Sequence, residues 1–313
     1  SVRKPAAANR GYIEAEHLGP APLASDPDFY IDPMVAAKVQ TLIESGLNVL
    51  LDGKQGCGKT TLSRKVAEAL GMEWVFFSCT HIAEPTDLVA TLQLRQAEGG
   101  GTETVWMPTD VLLAVTAAAS DPSRRYLVLL DEFNRMARPE VAANAIMTAL
   151  DATRRLYNPI DGRMLDVPPN VCFVAAVNRG ESGFTAAASV DAAHLDRFAC
   201  VQMAYPPVGE EIRILAGRYP GLARPEIERI VRLADAVRRD DRLVRGLSMR
   251  ATEEACRLLD RGPFRDLVKD PLPELLRDTF CGRFEGRWHD AGSDAGVCWG
   301  IIKGGCRRRA GDG

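Results

Sequence analysis

The clearest structural signal in the chain is the stretch Asn48-Val49-Leu50-Leu51-Asp52-Gly53-Lys54-Gln55-Gly56-Cys57-Gly58-Lys59-Thr60-Thr61. It opens with an apolar run typical of a short buried strand and continues as a glycine-rich turn. Beyond the turn, Leu62, Val66 and Leu70 recur on one helical face, and Gly71 ends that pattern. The stretch therefore predicts a strand, a tight loop and a helix in immediate succession.

The loop has the spacing GxxxxGK[ST] at every fixed position from Gly53 to Thr60. Glycines let such a loop curl so that backbone N–H groups point inward, and the helix that follows adds its positive dipole end. Lys59 then reaches the β- and γ-phosphates of a nucleotide, and the Thr60 hydroxyl coordinates Mg²⁺. The predicted nucleotide-binding residues are Gly53, Gln55, Gly56, Cys57, Gly58, Lys59, Thr60 and Thr61. Such a loop indicates nucleotide binding without separating hydrolases from kinases or from proteins that only hold nucleotide.

Short apolar runs typical of strands recur along the chain, with helical stretches between them. They cover residues 48–51, 74–77, 126–130, 171–177 and 200–204. This alternation favours a mostly parallel sheet with helices on both faces, and Asp32-Pro33 marks the start of the first helix. After residue 207 the pattern changes to amphipathic helices at 210–218, 225–239 and 249–261.

The fold class that follows is α/β, with a three-layer P-loop core built on a parallel five-stranded sheet and followed by a small helical lid domain. We expect an irregular N-terminal arm over residues 1–30 and a nucleotide-binding core over 31–206. The lid is expected over 207–262, and a C-terminal extension of unknown role over 263–313.

Two carboxylates follow directly on the predicted strand over residues 126–130. In an open α/β sheet the reactive groups gather at the carboxyl ends of the strands, where the phosphate-binding loop also lies. Asp131 is then placed to hold Mg²⁺ through water, and Glu132 to orient and polarise an attacking water. Acidic residues also begin ordinary loops, but beside a phosphate-binding loop this pair favours hydrolysis over phosphoryl transfer to another substrate.

Two further polar residues flank the later strands. Asn178 follows the apolar run over 171–177 and is able to hydrogen-bond both the attacking water and the γ-phosphate, although Asn also starts ordinary turns. Arg197 precedes the last predicted strand, and an arginine can stabilise charge building on the γ-phosphate, within its own chain or in a neighbour's site. A single arginine is more often a solvated surface residue. Arg197 is a candidate because of its position just before the last predicted strand.

Composition narrows the functional classes. The 313 residues are 46% hydrophobic and 26% charged, ordinary for a soluble globular protein, with a formal net charge of −3. That charge gives no reason to expect nucleic-acid binding. No apolar run approaches the roughly 20 residues of a membrane span. The eight cysteines show no CxxC spacing, several lie in strand-like runs, and a cytoplasmic protein is expected.

These motifs, in this order, resemble the AAA+ ATPases, with Walker A at 53–60, Walker B at 126–132, sensor 1 at Asn178 and an arginine finger at Arg197. Within that class the chain is similar to the MoxR group, whose relatives include CbbQ, NorQ, GvpN and CobS. The similarity lies in Asp131-Glu132-Phe133-Asn134-Arg135, Leu195-Asp196-Arg197-Phe198 and Gly246-Leu247-Ser248-Met249-Arg250. It makes Arg250 the candidate sensor 2 residue, and it covers about residues 27–262.

Two predicted β-hairpins agree with this resemblance. The strands of the first lie at 91–95 and 103–107, around a glycine turn, and those of the second at 154–157 and 161–165. They resemble the helix-2 insert, a pore-facing element that touches substrate, and the pre-sensor-1 hairpin of these ATPases. Either is also compatible with a plain surface hairpin.

The resemblance implies Mg-dependent ATP hydrolysis by a hexameric ring, with ATP bound between subunits and Arg197 reaching the next protomer's site. It also implies a partner with a von Willebrand A domain, through which a target protein is remodelled, activated or assembled. Three alternatives stay open: a metal-chelatase motor subunit like CobS, a nucleic-acid-acting ATPase and a nucleotide-gated structural protein. The arm before Asp26 and the tail after Gly262 match no known part of the group.

Overall fold

The computed structural model describes residues 23, 26–96, 100–136, 146–178, 196–243, 246–263 and 267–307. Its strands are β1 (Val49–Gly53), β2 (Glu73–Ser78), β3 (Ala90–Gln96), β4 (Thr102–Pro108), β5 (Tyr126–Asp131), β6 (Arg155–Asn158), β7 (Arg163–Asp166), β8 (Val171–Val177) and β9 (Ala199–Met203). Its helices are α1 (Pro33–Glu44), α2 (Lys59–Ala69), α3 (Asp110–Ser120), α4 (Val208–Arg218), α5 (Arg224–Arg238), α6 (Met249–Arg261), α7 (Leu272–Phe280) and α8 (Asp294–Arg307). The predicted strands and helices therefore lie within a few residues of their observed positions.

The central sheet has five strands in the order β2-β5-β8-β1-β9, and every pair is parallel. Because all strands run the same way, the ends of β1, β5 and β8 share one edge, called here the carboxyl edge. The starts of the same strands form the opposite edge, called here the amino edge. The predicted parallel five-stranded sheet is confirmed.

Two hydrophobic clusters cover the two faces of this sheet and make the core three-layered. On one face, α1 and α2 contribute Val39, Ile43, Leu62 and Val66 to a cluster with β1. On the other, α3 and the helical residues 146–150 pack over β5 and β8. Helix α1 begins as predicted, since the Asp32 carboxylate accepts the Met34 N–H at 2.8 Å.

Both predicted hairpins are present as antiparallel pairs. Strand β3 pairs with β4, and β6 pairs with β7. Large apolar side chains stay exposed on both: Leu92, Leu94 and Met107 on the first, Tyr157 and Met164 on the second. Exposed apolar groups on short projecting ribbons are typical of a surface that meets a partner.

The helices after residue 207 form a lobe with its own hydrophobic core. Helices α4, α5 and α6 supply part of that core, and α7 and α8 supply the rest through residues such as Leu276, Phe280, Cys298 and Ile302. The residues from Leu272 to Arg307 thus pack on the lobe, which the sequence pattern did not indicate. Among the residues that the structure describes, no helix has the length and apolar character needed to cross a bilayer.

Several sequence expectations fall outside the described residues. These are most of the arm over 1–30, residues 97–99 of the first hairpin turn, Leu195 of the segment before Arg197, the helical stretch predicted between β8 and β9, and the terminal arginines after residue 307.

Candidate functional site

The glycine-rich loop joins the end of β1 to the start of α2 at the carboxyl edge. Gly56 and Gly58 have φ values of 74° and 96°, in the left-handed region that favours glycine. These two residues give the loop its curvature, and Gly58 precedes the first turn of α2. The backbone N–H groups of that first turn have no partners within the helix, so they are available to an anion.

Lys59 lies under this loop with only 6% of its surface exposed. Its Nζ donates to the carbonyls of Gly53 at 2.7 Å and Lys54 at 3.0 Å, and to Asn178 Oδ1 at 2.7 Å. Burial lowers the pKa of the ammonium and raises the pKa of the neighbouring Cys57 thiol, which keeps that thiol neutral. The contact with Asn178 brings the predicted sensor 1 residue directly to the lysine predicted to bind phosphate.

The acidic pair lies at the end of β5, next to the loop. Thr60 Oγ1 donates to Asp131 Oδ2 at 3.1 Å, so the two predicted magnesium ligands are already in contact. A hydroxyl and a carboxylate supply the hard oxygen donors that Mg²⁺ prefers. These two residues therefore fit a magnesium ion bound beside the phosphates.

Glu132 follows in an unusual backbone conformation. Its φ of 53° and ψ of 40° place it in the left-handed region, which is uncommon for residues other than glycine and asparagine. Its N–H donates to Asp131 Oδ1 at 2.9 Å, and its carboxylate pairs with Arg135 Nη1 at 3.1 Å. This turn ends the strand sharply and holds the Glu132 carboxylate beside a guanidinium.

Asn134 holds the backbone of Asn178, a contact that sequence analysis did not predict. It is 8% exposed, its Nδ2 donates to the Asn178 carbonyl at 3.2 Å, and its Oδ1 accepts the Asn178 N–H at 3.4 Å. The side-chain amide thus acts like a strand residue that pairs with the end of β8. The only signal in the sequence was the position of Asn134 in the Asp131–Arg135 string. That string supported the family resemblance but did not indicate which residue Asn134 contacts.

The helical lobe contacts the loop through residues 246–248. A Cβ placed on Gly56 would lie 2.7 Å from Ser248 Cβ, and one on Gly246 would lie 3.0 Å from Lys54 Cδ. Arg250 is exposed in the first turn of α6, two residues beyond Ser248. The structure therefore brings the segment that carries the predicted sensor 2 residue to the phosphate-binding loop.

Arg197 is not brought to this cluster. Strand register sets Ala199 beside Val49 and Met203 beside Gly53, so the start of β9 lies about 13 Å along the strand from the loop. The backbone carbonyl of Arg197 accepts a hydrogen bond from Asn48 Nδ2 at 3.5 Å. Its charge is also close to Asp151, whose pKa is lowered first by a hydrogen bond from Thr153 and to a lesser degree by Arg197. Arg197 therefore lies at the amino edge of the sheet.

One aromatic contact connects the acidic turn to the segment that carries Arg197. The ring of Phe133 meets that of Phe198 edge-on, with centroids 5.6 Å apart. Both rings are buried in the same hydrophobic cluster. The residue after Glu132 and the residue after Arg197 therefore pack in one core.

Much of this chain is similar in sequence to known proteins. Residues 48–198 match the family described as AAA domain (dynein-related subfamily). Protein NorQ of Paracoccus denitrificans is 29% identical over 261 residues, which cover 82% of this chain and 90% of that protein. Denitrification regulatory protein NirQ of Pseudomonas aeruginosa is 30% identical over 236 residues, 74% of this chain and 84% of NirQ. Putative chaperone BssE of Thauera aromatica is 26% identical over 248 residues, 78% of this chain and 80% of BssE.

Proposed function

Because this chain belongs to the MoxR group of the AAA+ family, we propose that it hydrolyses ATP with Mg²⁺ in a homo-oligomeric ring of six copies. The work of hydrolysis is then used to remodel, activate or assemble a partner protein. One observation carries this proposal. At the carboxyl edge Lys59 hydrogen-bonds Asn178 and Thr60 hydrogen-bonds Asp131, with Glu132 in the adjoining turn.

The loop and Lys59 are proposed to bind the phosphates of ATP. The N–H groups from Gly56 to Thr61 hold phosphate oxygens, and Gly53 and Gln55 keep the loop open around them. The Lys59 ammonium now lies against two carbonyls and Asn178 Oδ1, so a phosphate oxygen exchanges for one of these acceptors. Anionic phosphate also favours the charged form of a lysine whose pKa burial has lowered.

Thr60 would hold a magnesium ion through its hydroxyl, and Asp131 would hold it through water. When bound there, Mg²⁺ neutralises phosphate charge and orients the terminal phosphate. The Thr60 oxygen keeps its lone pairs for a metal while its O–H donates to Asp131 Oδ2.

Glu132 is the proposed general base. Its carboxylate accepts a proton from the attacking water, and the Asn178 amide orients that water against the terminal phosphate. The pair with Arg135 holds the carboxylate at one side of the turn, since both side chains are only about a third exposed or less. Proton acceptance requires that one Glu132 oxygen faces the water rather than Arg135.

Arg197 completes the site from a neighbouring copy. Its place at the amino edge supports a role in trans, since its own loop lies about 13 Å further along the strand. Arg250, carried by the lobe of the same copy, is proposed to sense the γ-phosphate. An arginine in each position stabilises charge on the terminal phosphate without taking part in proton transfer.

A target protein is proposed to meet the two hairpins, which expose Leu92, Leu94, Tyr157 and Met164. A von Willebrand A domain protein is the proposed partner, on the family resemblance. The names of NirQ, a regulatory protein, and BssE, a putative chaperone, support a protein as the object of the work. All eight cysteines are free thiols, which supports the cytoplasm as the place where it acts.

Phosphate release by the purified chain tests this function. We expect hydrolysis of ATP that needs Mg²⁺ and stops when the metal is chelated, with GTP as a comparison substrate. Salt-dependent stimulation by DNA would instead favour the nucleic-acid alternative. An ATP dissociation constant above the millimolar range would contradict the proposal outright.

A further inference from the structure

Tyr205 lies in the connection between β9 and α4, where the chain passes from the sheet to the helical lobe. Its hydroxyl donates to the Gln55 carbonyl of the phosphate-binding loop at 3.0 Å. The face of its ring lies against the guanidinium of Arg238, with the guanidinium carbon 4.6 Å from the ring centroid. One side chain therefore contacts both the loop and the lobe.

Arg238 lies at the end of α5 and is buried, with 6% of its side chain exposed. It makes a two-point pair with the fully buried Glu211 of α4, at 2.5 Å and 3.0 Å. Glu211 also accepts from Thr252 Oγ1 of α6 at 2.6 Å. A planar guanidinium in a satisfied buried network has one geometry, so this network fixes three lobe helices relative to one another.

The same guanidinium holds the segment that touches the loop. Arg238 Nε donates to the Leu247 carbonyl at 2.7 Å. Leu247 lies between Gly246 and Ser248. Ser248 meets the loop closely, since a Cβ on Gly56 would lie 2.7 Å from Ser248 Cβ, and a Cβ on Gly246 would lie 3.2 Å from the Tyr205 hydroxyl. Helix α6 begins at Met249, directly after Ser248, and carries Arg250 in its first turn.

We propose that Tyr205 and Arg238 are positioning residues that set the start of α6, and with it Arg250, according to the shape of the phosphate-binding loop. The inference rests on the proposed function, because it concerns the same nucleotide site. The Gln55 carbonyl belongs to the loop whose N–H groups hold the phosphates, so a phosphate-bound loop presents that carbonyl differently to Tyr205. Through Arg238, the change reaches Leu247 and the first turn of α6.

The variant Tyr205→Phe removes one hydroxyl and keeps the ring that Arg238 covers. We expect kcat for ATP to fall by about fivefold to tenfold, the effect of one hydrogen bond, while the ATP dissociation constant changes by less than about twofold. The matched control is Tyr219→Phe, in the same lobe, whose hydroxyl pairs with Arg257 instead. That control should leave both quantities unchanged.

Hydrogen exchange provides a readout that needs binding alone. With Mg²⁺ and the non-hydrolysable analogue adenylyl-imidodiphosphate, peptides over residues 246–252 of the native chain should gain protection. In Tyr205→Phe this gain should largely disappear, while the gain over residues 53–61 remains.

Two results would overturn the proposal that Tyr205 and Arg238 set the start of α6. One is a Tyr205→Phe protein with native kcat and native protection over 246–252. The other is a rise in the dissociation constant as large as the fall in kcat, which indicates a general loss of structure. Failure of the native chain to hydrolyse ATP would count against the proposed function, and the exchange experiment would still decide whether Tyr205 links the loop to the lobe.

Discussion

The carboxyl and amino edges of the central sheet carry different chemistry. At the carboxyl edge, Lys59 donates a hydrogen bond to Asn178, and the neighbouring Thr60 donates one to Asp131. At the amino edge, Arg197 lies beside Asn48 and the charge of Asp151. The length of strand β9 separates the two sets, so the groups that bind and polarise are together and Arg197 is apart from them.

Under the proposed function, the two edges act in different copies of the chain. We expect one copy alone to hold a nucleotide and its metal. The charge that builds on the terminal phosphate during transfer needs a further cation, which we propose that Arg197 supplies to another copy's carboxyl edge. We therefore expect an isolated copy to bind ATP well and to hydrolyse it slowly.

Removing the arginine of the amino edge should have the largest effect. Arg197→Ala should bind ATP normally and lower kcat by about 10³-fold or more, the usual contribution of an arginine supplied in trans. Arg64→Ala, on the exposed side of α2, is the control and should keep native activity. An Arg197→Ala protein with native kcat would break the comparison, because the amino edge would then have no part in the chemistry.

Removing the proposed base from the carboxyl edge should come next. Glu132→Gln should keep ATP bound and lower kcat by about 10²- to 10³-fold, since a positioned base is lost and the shape of the turn is kept. Its mass should be measured with and without ATP and Mg²⁺, and we expect a shift from 34.1 kDa to about six times that value. Glu44→Gln, exposed at the end of α1, is the control, and equal activity in both variants would exclude Glu132 as the base.

Lys59→Ala sharpens the comparison by acting on binding. The loss of a buried charged donor should weaken ATP binding by about 100-fold, which abolishes it at micromolar concentrations. Calorimetric titration with ATP measures this effect, and Lys38→Ala on exposed α1 is the matched control. Normal affinity in Lys59→Ala would remove the loop from the nucleotide site.

Asn134 should have the smallest of these effects. Asn134→Ala removes two hydrogen bonds to the backbone of Asn178, so β8 loses its connection to the acidic turn. We expect kcat to fall by about tenfold with little change in ATP affinity, because the two bonds position Asn178 and touch no phosphate. A loss of affinity equal to the loss of kcat would show that Asn134 supports the loop in general.

The carboxyl edge could be predicted in advance because its signals are local. A strand, a glycine loop and a helix follow one another within residues 48–70, and the parallel sheet that alternation predicts puts Asp131 and Asn178 at the same edge. The distance between Arg197 and the loop of its own chain could not be predicted in this way. It follows from the strand register, which depends on pairing between distant segments.

Contacts between distant residues could not be predicted from the pattern. Asn134 pairs with Asn178 across 44 positions, and Tyr205 reaches Gln55 across 150. Helix α8 was missed for another reason. It contains four glycines, each of which disfavours a helix by about 1 kcal/mol, and burial of Ala295, Cys298 and Ile302 in the lobe core offsets that cost.

The most direct measurement mixes Arg197→Ala with an equal amount of Glu132→Gln and follows phosphate release. Each protein alone should be almost inactive. In randomly mixed rings, about a quarter of the interfaces pair a native Glu132 with a native neighbouring Arg197, so up to about a quarter of native activity should return. If the mixture is no more active than the sum of its two components, although co-purification of two affinity tags shows mixed assemblies, the two edges do not form a shared site.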